Sequence, residues 1–290
     1  MSAQDPYFSL YAQNPLMINP AFAGSVSNLR ICSGYRNQWP ALFGNAITYA
    51  FSSDYYFPKQ KLGMGLNYFS ESSQIGNDNV VKNYRAGLDF AHRLYIEKDS
   101  TKGFMQLGIE YAYGVKSQDT NSVNCLYACP YDYTLKADYH DLSFGILFYR
   151  NNFCLGLAAY HVNQPEIDFT STYKLPVRYV AHAAKIFRTK DSISTYFEPR
   201  VFFYGYQYYN TVQIGFILNR GPVFAGVDYR TNDSFIFTLG FHTKRVSFAY
   251  SYDLQRSYLN NERLGSHELS FQIRLLNKKQ DQSLGTIGYL

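Results

Sequence analysis

The residues best equipped for chemistry are two histidine–carboxylate neighbours, His140-Asp141 and His267-Glu268, and two cysteines separated by three residues, Cys125 and Cys129. A histidine beside an acid suggests hydrolysis or proton transfer. That chemistry needs a nucleophile or activated water and an orienting group converging on the same point. Both pairs fall near the ends of strand-like segments, where adjacent side chains point to opposite faces of a sheet. Neither pair is a ready dyad, and the chain reads as a non-enzyme. Cys125 and Cys129 precede Pro130 in a polar stretch. They fit either a small-loop disulfide of an oxidising compartment or two independent thiols. None of the six histidines is close enough to complete a zinc site with them. No metal and no cofactor is implied. Cys32 and Cys154 lie inside strand-like segments as small apolar side chains.

The elements that must carry these residues follow from composition and periodicity. The 290 residues include 29 Tyr and 23 Phe against one Trp, which is too much apolar surface for a disordered chain. No run of about 18 apolar residues exists, which excludes a helical membrane protein. Net charge is +5, too weak and scattered for a nucleic-acid partner.

Period-two alternation recurs from end to end. Met105, Leu107, Ile109, Tyr111 and Tyr113 share one face, and Gln106, Gly108, Glu110, Ala112 and Gly114 share the other. Leu269, Phe271, Ile273 and Leu275 likewise oppose Ser270, Gln272 and Arg274. About fourteen such segments run from 29–36 to 266–275, among them 82–93, 103–115 and 139–149.

A soluble sandwich also alternates, so three further features decide. The weaker face is rich in glycine (Gly63, Gly65, Gly108, Gly145, Gly156), as close approach inside a barrel requires. Segments of about nine to twelve residues suit a tilted bilayer crossing. Short turns alternate with long loops such as 70–81, 116–138 and 162–177, against which the short 205–209 and 231–233 count a little. The expectation is an all-β fold: a transmembrane antiparallel outer-membrane β-barrel of about fourteen strands.

Aromatics at segment ends (Tyr55, Tyr56, Phe57; Tyr131, Tyr133; Tyr204, Tyr206, Tyr208, Tyr209) suit an interfacial girdle. Arg85, Asp89, Glu110, Asp228, Arg230, Asp253 and Arg274 all fall on the weak face and are expected to form a polar network in the lumen. The short-turn side carries Lys59, Lys61, Arg150, Arg220, Lys244 and Arg245, a basic rim for anionic headgroups, for an acidic partner, or simply for solvent.

Three parts follow: a turn-rich segment 1–28, the barrel 29–276, and a tail 277–290. Ser2-Ala3 before Gln4 resembles the small-residue end of a removed signal peptide, from which export is expected. Asp5-Pro6, Asn14-Pro15 and Asn19-Pro20 are turn-forming dipeptides set among Tyr7, Phe8, Leu16 and Phe22. So apolar a segment must enter the lumen, cap the periplasmic mouth, or dock a partner. Pro6, Tyr7, Phe8, Asn14, Pro15, Asn19, Pro20 and Phe22 are its candidate contacts, with Arg36, Gln38 and Trp39 at the end of the first strand. For Gly265-Ser266-His267-Glu268, a strand start tying the last strand to the first is preferred over a rim contact.

Gln4–Tyr11 (QDPYFSLY), Asn14–Gly24 (NPLMINPAFAG) and Tyr35–Pro40 (YRNQWP) together resemble the type IX secretion system membrane protein family PorP/SprF. Leu62–Gly76, Pro176–Phe187, Val227–Phe235, Tyr250–Leu259 and Gly265–Leu275 extend the likeness over nearly the whole chain, and the tail departs from it. The resemblance implies an outer-membrane barrel without catalytic chemistry. Its partners would be outer-membrane lipid, periplasmic components of the secretion machinery and, for some members, the C-terminal domain of a secreted adhesin. The alternative function is a passive porin-like channel for small solutes.

Overall fold

The computed structural model describes residues 6–26, 29–40, 45–75, 79–96, 103–120, 133–167, 174–189, 192–207, 209–231, 234–255 and 265–275. Cys125, Cys129, Tyr131, Tyr208 and the tail 277–290 lie outside the described residues. Fifteen strands form one sheet: β1 (Leu29–Gln38), β2 (Ala46–Phe57), β3 (Leu62–Ile75), β4 (Asn79–Tyr95), β5 (Gly103–Thr120), β6 (Tyr133–Arg150), β7 (Phe153–Tyr160), β8 (Arg178–Lys185), β9 (Phe187–Thr189), β10 (Ser192–Tyr206), β11 (Tyr209–Arg220), β12 (Val223–Arg230), β13 (Ser234–His242), β14 (Val246–Gln255) and β15 (Gly265–Leu275). β8 and β9 both pair with β10 and make one stave broken at Ile186, so the wall has fourteen staves. All pairings are antiparallel. β1 pairs with β15 from Leu29↔Leu275 to Gln38↔Ser266, which closes the cylinder and leaves no sheet edge at that junction.

Burial is inverted relative to a water-soluble protein. Leu239 and Ile214 are 61% and 58% exposed, whereas Arg30 and Glu110 are 0% and 1% exposed. Most strands present a row of exposed apolar side chains on their outer face, which is the surface that lipid covers, while Phe69, Phe104, Leu147 and Phe202 turn inward. The fold expected from alternation is therefore the fold observed. No helix among the described residues is long and apolar enough to cross a membrane.

Two expectations need correction. β4, β5 and β6 are 17, 18 and 18 residues long, well beyond the segments 82–93, 103–115 and 139–149. Their apolar alternation stops where lipid contact stops, but backbone pairing continues through Lys116↔Ala137 to Thr120↔Tyr133. Lys82 and Asp119, 2.8 Å apart, pin the extension. The girdle is also thinner than expected. Tyr55, Phe57 and Tyr209 face outward, whereas Tyr56 and Tyr204 are buried in the lumen and Tyr206 is half-buried.

Candidate functional site

The lumen is occupied by the chain's own segment 6–26. Of three short 3-10 turns, Tyr11–Gln13 ends beside Asn14, and Pro15–Met17 and Pro20–Phe22 begin at the prolines of the Asn-Pro pairs that mark the sequence. Asn19 caps the third, accepting the Ala21 N–H at 2.9 Å. Leu16, Ile18 and Phe22 are fully or almost fully buried, which contributes about 1.5–3 kcal/mol each.

Near the long-loop end, four strands converge on Ser9. Glu268 accepts the Ser9 and Leu10 N–H groups at 2.8 and 3.0 Å. The Ser9 hydroxyl lies 2.6 Å from Asp253, 2.9 Å from Arg36 and 2.6 Å from Arg230. Arg36 also bridges Asp253 at 2.8 Å and Glu268 at 2.9 Å, and Arg230 meets Asp253 at 3.2 Å. Two cations thus balance two anions, as buried charges require. Tyr7 packs on Phe202 and Tyr204 beneath the Arg230 guanidinium.

The segment leaves the lumen at the short-turn end. Asp54 accepts the Gly24 N–H at 2.8 Å and is paired with Arg30. Arg93 lies 4.0 and 4.3 Å from the Tyr56 and Phe104 ring centres and donates to the Gly24 and Ser25 carbonyls. Between the two ends the wall is shaved to backbone. A Cβ on Gly108 would stand 2.3 Å from the Ala21 nitrogen, and one on Gly145 would stand 2.0 Å from the Asn19 side-chain oxygen. Other glycines make room for the wall itself: Gly215 for Asp228 and Gly240 for Phe224.

A second ionic cluster lies across the lumen. Arg85 pairs with Glu110 at 2.7 Å and Asp141 at 2.8 Å, and His161 lies 3.0 Å from Asp141. Asn67 donates to both Asp89 and Glu110 at 2.7 Å, separating the two carboxylates. Asp228 pairs with Arg200 at 2.8 Å, and Arg274 donates to Gln272 at 2.8 Å. The seven residues expected in the lumen all lie inside, though in several clusters rather than one network.

The residues expected to meet a partner are mostly turned inward instead. Phe8, Asn14, Pro15, Asn19, Pro20, Phe22 and Arg36 are buried against the wall, while Pro6, Tyr7, Gln38 and Trp39 are half-buried. Asn14 accepts from Ser52, Phe22 stacks on His182, and the Trp39 indole donates to Gln255. The physical reason is that an apolar segment finds more contact inside a glycine-lined cylinder than on its rim.

His140 and His267 point to the outer face, bonded to Tyr111 and Tyr250 at 2.7 and 2.8 Å, while Asp141 and Glu268 point inward. Among the described residues no group of three or more His, Cys, Asp or Glu could hold a metal ion. Beneath Gln13 a cavity of about 30 Å³ is bounded by Glu198, Arg200, Ser247 and Arg274. That is room for roughly two waters at about 15 Å³ each.

Comparison with known proteins bears on the residues just described. The profile of the type IX secretion system membrane protein family PorP/SprF matches residues 1–273, from before the lumenal segment almost to the end of β15. The chain belongs to the PorP/SprF family. Membership associates it with the type IX secretion machinery, and the barrel places it in the outer membrane. No curated protein matches the chain. Among solved structures, the PorP/SprF chain is similar to the toluene transporter TbuX of Ralstonia pickettii, with TM-score 0.57, 10% identity, and 91% and 94% of the two chains covered. It is likewise similar to the toluene transporter TodX of P. putida, with TM-score 0.55, 10% identity, and 91% and 94% covered. At these identities the likeness shows the barrel fold alone.

Sequence reasoning passed over Ser9, Arg30, Asp54, Asn67, Arg93 and Arg200 as site residues. Arg30, Asp54, Asn67 and Arg93 lie on the inward faces of their strands beside small residues, so the same face rule that selected Arg85 and Asp89 also selects them. Arg200 shares its inward face with Tyr196, Phe202 and Tyr204 and is hidden from that rule. Ser9 carries no such signal, because a single serine among aromatics has no period.

Proposed function

We propose that this PorP/SprF protein acts in type IX secretion through protein–protein contacts, docking periplasmic components of the machinery and supporting export or surface anchoring of secreted proteins such as adhesins. The observation that carries the reading is the filled lumen. Segment 6–26 is held at Ser9 by four charged side chains and at Gly24 by Asp54 and Arg93, and the cavity beside it admits only water. A barrel so occupied is a scaffold with two rims. The basic short-turn rim suits acidic periplasmic partners. Pro6, Tyr7, Gln38 and Trp39 keep part of their surface near the long-loop end and suit a secreted chain on the outside. Catalysis is not part of the proposal, because His140 and His267 are each separated from the carboxylate next in sequence by the thickness of the wall.

Planar-bilayer conductance and pull-down from native outer membranes test the reading together. The intact protein is expected to show no steady pore and to bring down periplasmic secretion components. Deleting 6–26 is expected to open a pore and weaken that association. A porin-sized steady conductance of the intact chain would sink the scaffold in favour of a passive channel.

A further inference from the structure

The outward surface is interrupted at the short-turn rim. The stave formed by β8 and β9 breaks at Ile186, whose N–H bonds to the Asn152 carbonyl at 2.9 Å. The β9–β10 register then shifts between Ser192 and Tyr196. The wall puckers there, leaving a groove of about 740 Å³ bounded by β9, β10, β11 and β12. That lies within the range of small-molecule sites, about 300–1,000 Å³. Phe187, Phe197, Leu218 and Val223 line it and are all exposed. Two arginines line it: Arg188 of β9, which is half-buried, and Arg220, the last residue of β11, which is exposed.

We propose that this groove binds one glycerophospholipid of the periplasmic leaflet, with an acyl chain against Phe187, Phe197, Leu218 and Val223 and the phosphate on Arg220. The groove opens onto hydrocarbon, so an acyl chain is what fills it. It ends at the turn side, where phosphates of the inner leaflet lie. A guanidinium at that depth reaches the interface along its own apolar stem and grips a phosphate with two parallel N–H donors. A second depression of about 340 Å³, between Phe144, Leu157, Tyr179 and Phe203, has no charged side chain in its lining. It supplies a built-in control for the role of charge.

The test is native mass spectrometry of the full chain, delipidated in detergent and titrated with dioleoylphosphatidylglycerol. One discrete tight adduct is expected. Arg220→Gln should weaken it about tenfold, and Leu218→Trp, which fills the groove, should abolish it. Leu157→Trp in the uncharged depression should leave it unchanged. Dioleoylglycerol, which lacks the phosphate, should bind the wild type about as weakly as the phospholipid binds Arg220→Gln. Val223→Trp replaces Leu218→Trp if the latter loses its heat-modifiable gel mobility. A featureless ladder of adducts, or groove variants that titrate like wild type, would overturn the proposal. Equal binding of dioleoylglycerol would also overturn it.

Discussion

Gly63 rests on the backbone of Ala23: a Cβ added to this glycine would stand 1.8 Å from the Ala23 carbonyl oxygen. The obstacle is main chain, so no rotamer change can relieve it. Gly63→Ala must push the segment off the wall, at about 1–3 kcal/mol by analogy with overpacked cores. The expected outcome is a closed barrel with ordinary heat-modifiable mobility whose residues 6–26 have become open to protease. Protection equal to wild type would show that the segment is not seated on Gly63.

Glu268 offers the sharpest test of the Ser9 socket. Glu268→Ala removes the acceptor for two backbone N–H groups and leaves Arg36 with the Ser9 hydroxyl and, as its one carboxylate, Asp253, which Arg230 shares. Breaking a buried pair on one side costs about 3–5 kcal/mol. Chemical denaturation in detergent should report that loss. The double change Arg36→Met with Glu268→Leu should lose less than Glu268→Ala alone, since no buried charge is stranded.

Much of this arrangement is written in the sequence, and the exceptions have physical causes. The barrel is legible because lipid imposes one rule on every strand, so that Leu107, Ile109 and Tyr111 repeat at period two. Arg85, Asp89 and Glu110 are legible as lumenal for the same reason. The extensions of β4–β6 are not, because Lys116–Thr120 have left the bilayer and obey no apolar rule. Tyr204 reads as a girdle residue from its place near a strand end, but its face directs it inward onto Tyr7. The path of 6–26 is legible as turns and not as a route, because Asn19 bonds to the carbonyls of Ile146 and Leu157, more than a hundred residues away.

The outer surface should be intolerant of charge. Leu239 lies midway along β13 and is 61% exposed to the lipid side. Leu239→Arg is expected to cost about 2–4 kcal/mol in urea titrations of the barrel in lipid vesicles. A Leu239→Ile control should change little.

Cys32 and Cys154 are both buried and unpaired with each other. Native protein in detergent should therefore leave these two thiols unmodified by an alkylating reagent over a time that labels them fully once denatured. Peptide mass mapping reads the difference. Prompt labelling of Cys32 in the native state would mean that reagents reach the lumen past the segment.

The groups that grip Ser9 come from opposite ends of the polypeptide. Arg36 is on the first strand, and Arg230, Asp253 and Glu268 follow some two hundred residues later, on β12, β14 and β15. During biogenesis the N-terminal stretch consequently has no complete anchor until the final strand has zipped onto the first. Cork and bottle are finished in the same event, so an insertion intermediate awaiting its last strand is also an unstoppered one.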